Sequence, residues 1–293
     1  MAVVQATAGQ VQRAYYTNTG PVNVALGVVD GGEYAEEREL IQVSGIGNTH
    51  AKDFGLYKPT IKLSGIATSD TKTFLTSFGM RTNYATGLPP VIGSLSAGSI
   101  SAGNATESLA LDSNPRLDEW SLEQDFDGEG EAKFDFTIGA LDATVGAAIG
   151  SVTPGSVKPY VRGFGSFTLD GGAAYKIAKL KVDCDNRMER MLSGDAQASG
   201  SKGCADVESS EGEVVKVSFA LYTKFTFDLG ADSPDEDVDI VWVMTDRASA
   251  SLTVTLSDLS VVTFKRSLKV RGKVLYEYEA EALENLSTAL VLS

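Results

Sequence analysis

The sequence predicts a mostly β chain built of two tandem, related domains. Three observations carry this: apolar alternation with a period of two, a scarcity of helical signals, and co-linear internal matches spaced near half the chain length.

The alternation comes first. Val22-Asn23-Val24-Ala25-Leu26, Thr60-Ile61-Lys62-Leu63, Lys133-Phe134-Asp135-Phe136-Thr137 and Val215-Lys216-Val217-Ser218-Phe219 read as strands, as do Leu252-Thr253-Val254-Thr255-Leu256 and Leu275-Tyr276-Glu277-Tyr278-Glu279. Each alternates, carries β-branched or aromatic residues, and is bounded by Gly, Asp or Ser. In such a strand one face packs on a core and the other meets solvent or a partner.

Helical signals are few. Ser69-Asp70 can cap a short helix through Phe74, Leu75 and Phe78, with Gly79 as its stop. Asp185-Asn186 can cap another through Met188, Met191 and Leu192, ended by Gly194. Leu283–Leu290 is a third, weaker candidate. Residues 86–116 and 195–212 are rich in Gly, Ser and Ala and read as long loops. Loops of that length inside a compact domain are usually functional or disordered. Asp232–Asp239 reads as an acidic turn between strands.

Four internal matches run in the same order through both halves. Val29-Asp30-Gly31-Gly32 meets Leu169-Asp170-Gly171-Gly172, and Ile41-Gln42-Val43 meets Leu180-Lys181-Val182. Ile61-Lys62-Leu63-Ser64 meets Val215-Lys216-Val217-Ser218. The longest match aligns Gly130–Asp142 with Gly272–Glu284, sharing aromatic-acid-aromatic and then Ala-Leu-acid at equal spacing. Self-similarity at this spacing predicts two domains, 1–150 with the loop 86–116 and 151–293 with the loop 195–212. Two similar domains in one chain can occupy equivalent places in a ring, whose pseudo-symmetry is then twice its chain number.

Bulk properties bound the function. The chain has 293 residues, 43% hydrophobic and 22% charged, as in ordinary globular proteins. Its 39 acids against 25 Lys and Arg give a formal charge of −14. Such a surface repels polyanions, which argues against tight nucleic-acid binding. It suits a solvated surface, or a wall along which DNA slides without sticking. Cys184 and Cys204 are too few and too far apart for a disulfide framework and read as reduced packing residues. The opening MAVVQATAGQVQRAYY lacks the basic and apolar regions of a signal peptide. The apolar stretch Val145–Val157 is broken by glycines and Pro154 and falls short of the ~18 residues a membrane helix needs.

A search for chemistry finds little. His50 is the only histidine and reads as a turn residue after Gly47-Asn48-Thr49. A Ser-His-Asp or Cys-His site would have to use it, and a His-based zinc site is excluded by count. Gly194–Lys202 has five residues between its glycines and a serine before the lysine, so it misses the phosphate-loop pattern. Gly163-Phe164-Gly165 lacks a third glycine. The clusters Asp235–Asp239 and Asp183–Asn186 offer oxygens without the spacing of a calcium loop. No carboxylate pair stands out among 39 acids. Phe134, Phe136, Tyr276 and Tyr278 share one face of their strands and read as core, and Trp120 and Trp242 as core or interface. The expectation is a structural protein with no catalytic residues, cofactor or metal.

In layout the chain resembles the major tail tube proteins of long-tailed, non-contractile (siphovirus-type) phages. The resemblance rests on Tyr175–Asn186, a strand closing on an asparagine, followed by Arg187–Gly194 and a small-residue loop, and on the amphipathic strand Arg271–Ala282. The first half departs more, with Gly45-Ile46-Gly47-Asn48 in place of an Asp-rich stretch. The resemblance implies two tandem tail-tube-like β-barrel or sandwich domains, each with a short flanking helix, whose subunits join edge to edge around a lumen. Two-domain members form homotrimeric rings of pseudo-sixfold symmetry, stacked through long loops. The implied partners are other copies of the chain, tape-measure and tail terminator or tip proteins, and DNA passing without specific binding, with no membrane. The implied location is the virion tail, assembled in the host cytoplasm. If the aromatic faces pack inward, Asp135, Glu277 and Glu279 face the other way and become candidate lumen-lining acids. The alternatives are another β-rich virion or surface module, such as a capsid decoration or adhesin-like protein, and an enzyme on a β scaffold. An adhesin would carry exposed aromatics in its loops, and both long loops are nearly free of them.

Overall fold

The computed structural model describes residues 4–5, 11–17, 23–44, 50–81, 87–100, 107–128, 130–145, 158–161, 165–172, 175–191, 206–209, 213–225, 237–268, 274–282 and 290–293. These are mostly strand, with one helix among them. The first half contains β1 (Val4–Gln5), β2 (Val11–Thr17), β3 (Asn23–Ala25), β4 (Val28–Ser44), β5 (His50–Ile66), α1 (Ser69–Phe78), β6 (Ser94–Ile100), β7 (Glu107–Ser113), β8 (Arg116–Asp125), β9 (Ala132–Gly139) and β10 (Asp142–Val145). The second contains β11 (Ser166–Leu169), β12 (Ile177–Asp185), β13 (Met188–Met191), β14 (Asp206–Ser209), β15 (Val214–Leu221), β16 (Asp237–Thr245), β17 (Ser251–Leu268), β18 (Val274–Ala282) and β19 (Leu290–Leu292).

Five of the six alternating segments fall wholly in strands; of Val22–Leu26, Asn23–Ala25 form β3, Leu26 follows it and Val22 lies outside the described residues. Where the strands form, the alternation sets their faces. On β9, Phe134, Phe136 and Ile138 are buried while Lys133 and Asp135 are exposed. On β12, Ala178, Leu180, Val182 and Cys184 are buried and alternate with Lys179, Lys181, Asp183 and Asp185. Helix α1 forms where its apolar spacing predicts. Its cap is Thr68 rather than Ser69: Asp70 N–H donates to the Thr68 hydroxyl, and the Thr71 hydroxyl accepts from Thr68 N–H. This reciprocal pair satisfies orphan donors at the helix start. Gly79 ends the helix, its N–H donating to the Leu75 carbonyl. The helix buries Phe74 against Tyr16 (5.1 Å), Phe78 (5.4 Å) and Phe136 (5.2 Å).

Twelve strands form one antiparallel sheet, with a path β1-β4-β5-β9-β8-β12-β15-β18-β17-β16-β11 and β19 beside β17. Five form a second sheet, β10-β7-β6-β2-β3. Tyr16 and Leu111 from the smaller sheet share one core with residues of the large sheet from both halves.

Within the long path the order β4-β5-β9-β8 is followed by β12-β15-β18-β17. The irregularities repeat as well as the order. Asp118 is the extra residue of a bulge in β8, and Val262 is the extra residue of a bulge in β17. Asp30 and Ala178 are the extra residues of bulges in β4 and β12. Asn114, just before β8, and Asp258, within β17, both adopt left-handed backbone. Asn114 and Asp258 lie as far apart as Asp118 and Val262 (258 − 114 = 144). The remaining layers match in kind: β2-β6-β7-β10 runs as β11-β16-β17-β19 does, with β17 covering the places of both β7 and β8. The 150/151 division itself lies outside the described residues.

Several expectations are corrected. Residues 185–194 hold no helix over their described part: Asn186 is buried, Arg187 is left-handed, and Met188–Met191 form β13, paired with β14. The region 86–116 is not one loop, because β6 and β7 pair within it as a hairpin. In 195–212, residues 206–209 are strand and the rest lie outside the described residues. Asp237–Asp239 open β16, and Asp232–Glu236 lie outside. Leu283–Ser287 and the two residues after them lie outside, and Leu290 begins β19. His50 opens β5, and Gly47–Thr49 before it lie outside the described residues. Among the internal matches, β9 with β18 occupies equivalent places. The match of Ile61 with Val215 slips by two: shared pairing to β9 and β18 sets Ile61 against Val217. Leu180–Val182 takes the place of Gly32–Tyr34, not of Ile41–Val43. Asp170-Gly171 is a turn, whereas Asp30-Gly31 lies in a strand.

Phe136 lies at the centre of this packing, touching Phe134 at 4.5 Å as well as Phe74. Phe136→Ala is expected to destabilise the fold by about 3–5 kcal/mol. The exposed neighbour change Lys133→Ala is expected to cost within about 0.5 kcal/mol. Urea unfolding of both variants checks the contrast.

Candidate functional site: the junction of the halves and the open sheet face

The two halves join by backbone pairing. β8 pairs with β12 over seven residue pairs, from Glu119 opposite Asp185 to Asp125 opposite Lys179. The large sheet therefore runs unbroken from one half to the other.

Side chains lock this seam. Asn186 N–H donates to the Asp118 carbonyl at 2.9 Å, and the Asn186 amide donates to the Leu117 carbonyl at 2.8 Å. Arg81, just past α1, donates to the Asn186 carbonyl. The Trp120 indole N–H donates to the Gly79 carbonyl at 2.9 Å. The bulge turns Asp118 toward Arg190 on β13, and their side chains pair at 2.8 Å with 14% and 7% exposure. Arg190 also donates to the Ala140 carbonyl at 3.1 Å. Its guanidinium crosses Gly139 where any Cβ would lie, so this close approach requires glycine. Burial raises the Asp118 carboxyl above its ordinary pKa, outweighing the pull of Arg190. Beside the ion pair, Leu141 of the first half packs on Val207 and Met188 of the β13–β14 hairpin. The second half thus clasps the first with a strand, a hairpin and a buried charge.

The face of the large sheet turned away from the core carries the three candidate acids. Asp135 accepts from the Ser121 hydroxyl at 3.4 Å, and partial burial raises its carboxyl pKa. Glu277 accepts from the Ser267 hydroxyl at 2.8 Å. Glu279 lies 3.9 Å from Lys265. The same face holds Lys179 with Glu123 and Lys216 with Glu281, each at 2.8 Å, and Lys181 with Asp183 at 2.5 Å. It is a laced surface of both signs rather than a bare acidic wall, and such exposed pairs weaken with salt.

The other singled-out residues are placed as follows. Cys184 is buried, and burial pushes its thiol well above the ordinary pKa, away from the reactive thiolate. Cys204 lies outside the described residues. Trp120 and Trp242 are in the core. Tyr278 is buried, its hydroxyl exchanging hydrogen bonds with the Phe225 backbone, whereas Tyr276 is only partly buried. Asp183 and Asp185 are engaged by Lys181 and by Arg187 N–H. Among the described residues no group of three or more His, Cys, Asp or Glu side chains is placed to hold a metal ion. No helix among them is long and apolar enough to cross a membrane. The seam residues Asp118, Arg190 and Asn186 were not singled out as a set by sequence reasoning. The one available signal was the asparagine closing Tyr175–Asn186.

No protein-family model matches the chain, and no curated protein matches it.

Asp118→Ala leaves Arg190 buried without its carboxylate. It is expected to cost about 3–5 kcal/mol in urea unfolding. Glu189→Ala, on the same strand but exposed, is expected to change little.

Proposed function

We propose that the chain is a structural virion protein, the major tail tube subunit of a long-tailed, non-contractile phage. Each half is one tube-like β-barrel or sandwich unit. Three chains close into a ring of pseudo-sixfold symmetry, and rings stack into a tube around the tape-measure protein and, later, DNA. The chain acts by assembly rather than catalysis.

One observation carries this reading: the strand order, the strand directions and the bulges of β4-β5-β9-β8 recur in β12-β15-β18-β17, and the two sets are joined edge to edge through β8 and β12. A head-to-tail contact that repeats with rotation is the kind that closes into a ring. The open face supports the role of a passage wall. Its mixed charges offer DNA no continuous basic track, and Asp135, Glu277 and Glu279 stand on it together.

Negative-stain microscopy of the purified protein tests the assembly. Rings of threefold symmetry or hollow tubes are expected, and a monomer at every concentration would rule the proposal out. The lumen assignment has its own measurement. Assemblies of the D135K/E277K/E279K variant are expected to retain duplex DNA at low salt, where unaltered assemblies do not. Equal retention by both would remove those three residues from the lumen.

A further inference from the structure

The seam between β8 and β12 joins two units that share strand order and bulges, so the molecule contains one worked example of how a unit meets the next. The last unit of the chain presents the same edge without a neighbour. β17 pairs with β16 along 251–260 and with β18 along 259–268. Among the described residues, its second edge is therefore uncovered beyond Ser260. That stretch occupies the place of β8, since Asp118 and Val262 are equivalent bulge residues. At the other end of the sheet, β4 occupies the place of β12, since Asp30 and Ala178 are equivalent. Among the described residues, what covers the edge of β4 in the single chain is β1, which pairs at Tyr34 and Glu33.

We infer that β17 of one chain pairs antiparallel with β4 of a second copy of this chain, in the register of the β8–β12 seam, displacing β1. The seam sets Ser121 opposite Asp183 and Glu119 opposite Asp185. Carried to the equivalent positions, Lys265 stands opposite Ala35, Arg266 opposite Tyr34, and Thr263 opposite Glu37. The charges agree with this register. Lys265 is 64% exposed in the single chain, and the register places it diagonally between the exposed Glu33 and Glu37 of the partner copy. Such diagonal neighbours lie within reach of a long side chain.

The two seams differ in the residue at the bulge. Where the internal seam buries Asp118 against Arg190, the open edge carries Val262, an apolar side chain 52% exposed. The β13–β14 hairpin that supplies Arg190 follows β12. The matching segment after β4 is its own continuation to Ser44, paired with β5. Among the described residues, 50–58 of β5 pair with no strand other than β4, and the Pro59 carbonyl accepts from Ala140 N–H at 3.2 Å. An apolar residue at the bulge avoids the desolvation cost of bringing a charge pair together between separate chains.

This inference rests on the self-assembly in the proposed function, and the test separates the two. Chains carrying Lys265→Cys alone are mixed with chains carrying Ala35→Cys alone, and Arg266→Cys chains with Tyr34→Cys chains. The two pairs cover both spacings of an antiparallel ladder, one of which suits a disulfide. Mild oxidation is expected to give a disulfide-linked dimer in at least one mixture. No such dimer is expected from Lys265→Cys with Glu33→Cys, shifted by two, nor from the unsubstituted chain. Val262→Asp in the mixed chains is expected to abolish the dimer while leaving the unfolding midpoint unchanged. Cross-linking in the shifted mixture, or in neither designed one, overturns the inference. If rings still form in that case, assembly stands and only this edge and register fall.

Discussion

Everything in this molecule depends on how an antiparallel sheet edge is satisfied. A strand at an edge exposes a row of unpaired N–H and carbonyl groups, and a protein must pair it, cover it or make it unwelcoming. Here β8 would be such an edge if the first half stood alone. β12 completes it, and the second half is built outward from that ladder in the order the first half already used. The core follows from the same constraint. Trp120, Leu122, Val182 and Cys184 come from the two seam strands and are all buried in one cluster with residues of both halves. Register at the seam is strict because a slip of one residue would turn these side chains to solvent and Ser121 and Asp183 inward.

The seam also explains where the polar groups are concentrated. A bulge adds a residue to one strand and re-aims a side chain. The bulge at Asp118 aims a carboxylate at Arg190, while the carbonyls of Leu117 and of Asp118 itself accept from Asn186. Buried ion pairs of this kind contribute little net stability, because desolvation offsets the attraction, but they penalise any arrangement that separates them. Asp118 and Arg190 thus act on specificity: the hairpin β13–β14 has one position over the first half in which neither charge is stranded.

Much of the fold was legible in the sequence, for a physical reason. Period-two alternation reports burial on one face, and five of the six segments read that way lie wholly in strands, while the sixth contains β3. Helix α1 was legible because Phe74, Leu75 and Phe78 repeat at helical spacing between a capping residue and a glycine. The segment after Asp185 imitated that grammar, with Asn186 as a cap and Met188 and Met191 one turn apart. Yet Asn186 spends its N–H and its amide on β8, and Met188–Met191 pairs with β14 instead. Tertiary partners that lie distant in sequence overrode a weak local signal. Residues 86–116 failed differently: small residues read as loop, but Ser94–Ile100 and Glu107–Ser113 pair with each other and β6 also pairs with β2. The repeat was visible at Gly130–Asp142 and misaligned elsewhere. A slip of two residues keeps every side chain on its face, so alternation alone cannot detect it. The bulges and left-handed residues could, and they are properties of the backbone. Alternation placed the acids Asp135, Glu277 and Glu279 on the face turned away from the core, but the lysines that lace it come from other strands and from pairings the sequence did not reveal.

In the assembly proposed above, the duplicated chain has two seams of one design but with different histories. The internal seam forms once, during folding, between strands tethered to each other. Tethering supplies the effective concentration, and the cost of burying Asp118 with Arg190 falls within a single cooperative transition. A seam between copies must form from folded partners that are already hydrated. There a charged residue at the bulge would have to lose its water for each contact made, whereas Val262 gains from the same burial. The divergence of these equivalent positions, carboxylate within the chain and valine at its edge, is the difference that two such seams would require. It also keeps the two from substituting for one another. A second copy's β12 offered to the edge of β17 would bring Arg190 against Val262, with no carboxylate to receive it. In the proposed assembly, duplication therefore permits what a single repeated domain cannot: a permanent seam held in place by a buried charge pair, and an assembling seam that contains none.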